Sequence, residues 1–237
     1  MMKNTFQKLI LGCLLLTATM AANAQFSGSG SGTSIDPYLI TNYTQLNEVR
    51  NDLTAHYRLD TDVNASSAWV PIGDNTDDAT RFTGTFDGNG HTVTISGMGT
   101  VPPRSSYYYV GLFGYLSSGA TVQNLKIAGS LSFTANYGCY IGGIAGMNDG
   151  GTIKNCVVAA DIVLSGNSSI DFYAGGIAGT HNNGTSLLSN CVALNASFAG
   201  DVYNNAATAT NITGFTIVPK EITVTANSGE STYGERP

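Results

Sequence analysis

The chain is predicted to be all-β, a short right-handed parallel β-helix with a helical cap at its amino end. Three observations carry this expectation. A Gly-apolar-apolar-Gly segment recurs at offsets of 32 and 33 residues, and each copy leads through a polar turn into an alternating strand. Charged residues make up only 11% of the 237, Gly reaches 29, and Asn, Ser and Thr stand where Lys and Glu would usually be. Small hydroxyl and β-branched residues suit a pleated surface and its turns better than a helix.

The repeat is the strongest signal. Gly111-Leu112-Phe113-Gly114 returns as Gly143-Ile144-Ala145-Gly146 and again as Gly176-Ile177-Ala178-Gly179. Polar turns follow at Ser117-Ser118-Gly119, Asn148-Asp149-Gly150 and Asn182-Asn183-Gly184. After each turn comes an apolar residue and then an asparagine, giving Val122 with Asn124, Ile153 with Asn155, and Leu188 with Asn190. Leu125, Ile127, Leu131 and Phe133 then match Cys156, Val158, Ile162 and Leu164 at period two, which places them on one face. One such unit is too small to bury its apolar face, whereas stacked units share an interior. Paired glycines permit tight bends and close approach between layers. Asn124, Asn155 and Asn190 are expected either to form a ladder of amides in left-handed conformation or to cap unrelated turns.

Each flank has its own reading. Residues 1–24 read as a secretory signal, with Lys3 and Lys8 before an apolar run and Ala22-Asn23-Ala24 at the cleavage point. Leu11 stands where a lipoprotein cut before Cys13 needs a small residue. Residues 25–34 are rich in Ser and Gly and read as a flexible segment. Residues 43–53 are the one predicted helix, with Asn42 or Thr44 as its cap and Leu46, Val49 and Leu53 on one side. Residues 69–98 read as the first coil and 101–108 as a protruding loop. The repeat domain runs from 35 to 215, and residues 216–237 are a linker with one further strand.

These motifs resemble the GLUG repeat of bacterial surface proteins, which includes regions of adhesins and regions accompanying IgA-specific metallopeptidases. The segment Ser231-Thr232-Tyr233-Gly234 at the end resembles the opening of an MBG-type repeat domain of large adhesins. The tail is read either as the start of a truncated module or as disordered. The resemblance implies a secreted or cell-surface location and a structural, adhesive role toward host glycan or an extracellular protein. The alternative is the non-catalytic part of a polysaccharide-active enzyme or a peptidase.

No constellation of residues in the sequence points to catalysis. Removing the signal takes Lys3 and Lys8 and no acid, so the formal charge goes from −6 to −8, which disfavours nucleic acid. No later segment reaches the roughly 20 apolar residues of a membrane-spanning helix. No acidic position recurs between repeats, as a β-helix glycosidase or lyase site would require. No His or Cys has a partner at zinc-ligand spacing. Neither a metal nor a cofactor is expected, and the chain reads as non-catalytic. Cys156 and Cys191 occupy matching positions, as buried thiols or a bonded pair. Tyr107 and Tyr108, in the expected loop, are the candidate ligand-binding residues.

Overall fold

The structure, a computed structural model, describes residues 26–65, 68–103, 107–166, 172–181 and 186–194. The predicted signal segment, the tail from residue 195 onward and the third polar turn lie outside the described residues. The rest is a parallel β-solenoid of about four turns with one short helix near its amino end.

The amino-terminal rungs contain strand β1 (Tyr38–Ile40), helix α1 (Tyr43–Glu48) continued by a 3-10 turn (Val49–Asn51), and then strand β2 (His56–Leu59) with strand β3 (Val63–Asn64). β1 and β2 are successive parallel rungs of one sheet, so α1 fills the arc where later coils carry strands. Asn42 is the cap: its side chain accepts the Gln45 N–H at 3.0 Å. Leu46 and Val49 are fully buried, on the predicted face.

The next rung holds β4 (Thr85–Asp87) and β5 (Thr92–Ile95) around the Asp-Gly-Asn-Gly turn. The stack therefore begins earlier than the sequence suggested, because β1 and β2 precede β4 in the same sheet. Their apolar residues alternate as in the repeats, but no glycine bracket marks them.

The repeats supply the remaining coils. The first has β6 (Tyr107–Val110), β7 (Phe113–Leu116), β8 (Thr121–Gln123) and β9 (Lys126–Ala135). The second has β10 (Gly138–Gly142), β11 (Ala145–Asn148), β12 (Thr152–Lys154), β13 (Val157–Val158) and β14 (Asp161–Gly166). The third has β15 (Phe172–Gly175), β16 (Ala178–His181), β17 (Leu187–Ser189) and β18 (Val192–Ala193). Four parallel sheets result, ordered β1-β2-β4-β8-β12-β17, β15-β10-β6, β16-β11-β7 and β18-β13-β9-β5-β3, with β14 beside the far half of β9.

The register makes the core a set of columns. Tyr57, Phe86, Val122, Ile153 and Leu188 stack in one sheet, and Val63, Val93, Ile127, Val158 and Ala193 in another. Phe82, Phe86 and Phe113 are fully buried, with ring centroids 4.7 and 5.5 Å from Phe113. Each such burial stabilises by roughly 1.5–3 kcal/mol. Trp69 is also fully buried, and its indole N–H donates to Gly111 O at 3.2 Å and Leu112 O at 3.3 Å, pinning the first bracket bend. The buried Asn148 satisfies itself against Gly151, donating to its carbonyl at 3.1 Å and accepting its N–H at 3.0 Å.

None of the bracket glycines Gly111, Gly114, Gly143, Gly146, Gly176 and Gly179 has positive φ, and at Gly111, Gly114, Gly143, Gly146 and Gly179 it is space rather than conformation that excludes a side chain. A Cβ on Gly146 would lie 2.6 Å from Val110 N and 2.9 Å from Gly114 O, and one on Gly179 would lie 2.5 Å from Ile141 N. Close approach of neighbouring backbone excludes a side chain there. The turn glycines differ: Gly119 and Gly150 sit at φ +93° and +91°.

The asparagine ladder is present. Asn124, Asn155 and Asn190 have φ of 53°, 54° and 51°, and Asn89 joins them at 51°. Asn190 Nδ2 donates to Asn155 Oδ1 at 3.3 Å, Asn155 Nδ2 to Asn124 Oδ1 at 3.1 Å, and Asn124 Nδ2 to Asp87 Oδ1 at 3.0 Å. Cys139, Cys156 and Cys191 are free and buried. The thiols of Cys156 and Cys191 donate to the carbonyls of Lys154 and Ser189, each at 3.2 Å.

Two flank expectations look different in the folded chain. The Ser/Gly segment, expected to be flexible, is tied down: Leu39 N donates to Ser29 O at 2.8 Å and His56 N to Gly32 O at 2.9 Å. Phe26 is buried there, its ring 4.5 Å from Tyr38. Tyr107 and Tyr108, expected in a protruding loop, instead open strand β6.

Candidate functional site

Strand alternation decides what β6 displays. Tyr108 turns inward, 8% exposed, with its ring edge-on to Phe133 at 5.0 Å. It packs with the core, so the expectation of an exposed pair fails for Tyr108 on the phase of the strand. Tyr107 and Tyr109 lie on the opposite side. Tyr107 is half-buried, its ring 5.1 Å from Tyr140, and it occupies the space a Cβ on Gly138 would need.

Register then builds a column. Tyr109 pairs with Tyr140 and Tyr140 with Tyr173. Their rings stack at 5.3 Å and 11°, then at 4.6 Å and 13°. Rings stacked this closely turn their faces to one another. Tyr109 is itself buried at 7% exposure, so what the column shows solvent belongs to the half-buried Tyr140 and Tyr173. The ring faces of Tyr140 are taken up on both sides.

At the amino end of the column the surface is polar. Tyr109 Oη accepts from Asn75 Nδ2 at 3.2 Å, and Asn75 Oδ1 accepts from Arg81 Nε at 3.0 Å and Nη2 at 2.7 Å. Arg81 also pairs with Asp78 at 2.6 Å and lies 4.8 Å above the Tyr115 ring. Tyr115 donates its hydroxyl to Asp149 at 2.8 Å. Burial, reinforced by Asp149, pushes the Tyr115 phenol well above its ordinary pKa, and burial raises that of Tyr109. Both phenols stay protonated at neutral pH.

Tyr109 also forms one wall of a cleft of about 410 Å³. Arg50, Asp74 and Thr80 line it with Val70, Pro71 and Pro102. Arg50 is placed by the end of the 3-10 turn: Nε donates to Asn47 O at 3.0 Å, Nη2 to Val70 O at 2.9 Å, and the guanidinium lies 5.5 Å from the Trp69 ring centre. Burial pulls its pKa below the ordinary arginine value. The described ion pairs are Arg81–Asp78 and His91–Asp62, so Arg50 has no acidic partner among the described residues.

Among the described residues there is no cluster of three or more His, Cys, Asp or Glu able to hold a metal ion, and no helix is long and apolar enough to cross a membrane. Tyr109, Tyr140 and Tyr173 share one frame of the repeat, at offsets of 31 and 33 residues. Arg50 and Asp74 lie outside any repeat.

No protein-family profile matches the chain, and no solved structure matches it. It is 31% identical over 182 residues to Halomucin of Haloquadratum walsbyi, an alignment covering 71% of this chain and 2% of Halomucin. It is 34% identical over 147 residues to a Gly-rich membrane protein of Evansella cellulosilytica, covering 58% of this chain and 16% of that protein. The chain thus spans a small part of both relatives.

Proposed function

We propose that the chain is a non-catalytic module of the cell surface or the secreted space, which holds a rigid outer face against a host glycan or an extracellular protein. The observation that carries this reading is the register-locked column Tyr109–Tyr140–Tyr173, continuous with the Tyr109 cleft. A binding face fixed on strands loses little entropy on contact, because its side chains are already ordered. The predicted signal segment, the GLUG-like repeats and the names of the two relatives, Halomucin and a membrane protein, support a place outside the cytoplasm.

A glycan and mucin array, combined with protease treatment of intact expressing cells, tests this reading. Binding to at least one immobilised glycan or mucin, and loss of the protein on protease treatment, are expected. Silence across the array, or complete protection from protease with the cells intact, overturns it.

A further inference from the structure

We infer that Cys156 and Cys191 are a disulfide-forming pair, an oxidisable staple that ties the last described coil to the one before it. The inference does not depend on what the outer face binds.

Register brings the two residues together. β13 and β18 pair in parallel with Val157 opposite Val192, so Cys156 and Cys191, one residue earlier, face each other across one rung. Val192 N donates to Cys156 O at 2.9 Å, which fixes the two backbones at that point. Neighbouring parallel strands lie about 4.8 Å apart, inside the Cα separation of roughly 4.4–6.8 Å that a disulfide spans. Both side chains enter the same interior, Cys156 fully buried and Cys191 4% exposed. Their thiols donate to equivalent carbonyls of successive coils, Lys154 O and Ser189 O.

The place of the pair in the stack supplies the freedom that the bond needs. Parallel Cβ vectors suit the torsion of a disulfide badly, so one strand has to shift. Among the described residues, β17 and β18 are each the last strand of their sheet, paired along one edge. Leu187 and Leu194, at 53% and 62% exposure, show how thinly this rung is covered. Such a rung opens locally at lower cost than the rungs between two neighbours. Contact with Cys156 draws the Cys191 thiol toward its thiolate, and the same contact pushes Cys156 upward. Cys191 is therefore the first nucleophile. Cys139 lacks such a neighbour, because register sets it between Tyr108 and Phe172.

The oxidant is a small disulfide, for which glutathione disulfide serves as the probe. Cys191 gives its proton to solvent, and its thiolate attacks one glutathione sulfur. The glutathione S–S bond breaks, and one glutathione leaves as a thiolate that takes up a proton. Cys156 then loses its proton and attacks the Cys191 sulfur, which expels the second glutathione. Two protein thiols are oxidised, and one disulfide is reduced to two thiols.

The test incubates the reduced full chain with glutathione disulfide, then maps peptides by mass spectrometry without reduction. The expected product is a single chain lighter by two hydrogen atoms, with Cys156 linked to Cys191 and Cys139 still a thiol. The oxidised chain should unfold at a higher urea concentration than the reduced one, because the link restricts the unfolded state. Cys139→Ala should leave the cross-link in place, and Cys191→Ala should abolish it. Circular dichroism verifies that each variant is folded, and the peptide map of the unaltered chain decides alone if one is not. Three free thiols after incubation, mixed disulfides with glutathione alone, a bond to Cys139 or a bond between two chains overturns the inference. So does an oxidised chain that unfolds at the same or a lower urea concentration.

Discussion

Asn155 donates its side-chain amide to Asn124 across 3.1 Å, and the two residues hold nearly the same left-handed backbone, φ 54° and 53°. One residue type thus meets two requirements at once. The amide links the layers, and the short polar side chain tolerates a conformation that most residues resist.

That pairing orders two substitutions. Asn155→Ala loses the interlayer bonds and keeps a Cβ at positive φ, so it should cost about 2–3 kcal/mol. Asn155→Gly loses only the bonds and should cost about 1 kcal/mol. Urea denaturation measures both, and a glycine variant no more stable than the alanine variant would show that the backbone conformation contributes little.

Two glycines should behave differently despite identical chemistry. A methyl on Gly146 meets backbone of the adjoining layer at 2.6 Å, so Gly146→Ala should cost about 3 kcal/mol or more. Gly90 has nothing within 4 Å but sits at φ +82°, and Gly90→Ala should cost about 1–2 kcal/mol. Thermal and urea melts compare them. Equal losses would mean that interlayer closeness is not what the bracket glycines supply.

The tyrosine column should be stabilising in itself. Tyr140→Ser removes two stacked pairs, with Tyr109 and with Tyr173, which amount to about 1–3 kcal/mol beyond the buried area. Tyr137, 51% exposed and 5.9 Å from Tyr108, should lose under about 1 kcal/mol as Tyr137→Ser. Near-ultraviolet circular dichroism should also change only for Tyr140.

Alkaline pH should destabilise the fold. Burial pushes the Cys139 thiol and the Tyr57 and Tyr115 phenols upward, each favouring the neutral form in the folded state. Their contribution is complete below the unfolded values, about 8.5 for a thiol and 10 for a phenol, and is lost as pH rises through the folded ones. Urea midpoints should therefore hold steady from neutral pH to about 8.5 and fall beyond it. A midpoint at pH 10.5 equal to that at pH 7 would contradict the direction of all three shifts.

The repeat region was readable because its layers repeat the same local chemistry. The matches Ile153 to Val122 and Ile162 to Leu131 follow directly from the motif spacing and recur as strand pairs. Of the earlier coils, residues 69–98 were readable as strand, turn and strand, but the rung before them was not: Tyr57 and Phe86 share a column, yet no glycine bracket announces it. Tyr108 was misplaced because a run of three tyrosines hides the inside-outside phase, which only pairing with Cys139 and Tyr140 sets. The cleft was invisible for a different reason. Arg50, Asp74 and Tyr109 come from three coils, and nothing local in the sequence says that they meet.

The amide bonds of the asparagine row all run the same way, from Asn190 through Asn155 and Asn124 to the carboxylate of Asp87. Asp87 also accepts from Gln123 Nε2 at 2.8 Å and from Asn89 N at 2.8 Å, which anchors the row where it ends. Each newly arriving turn of chain therefore brings a donor to an acceptor that its predecessor has already set in position. Assembly acquires a polarity that matches the order in which a polypeptide leaves the ribosome or a translocation channel. Every finished layer serves as the template for the next.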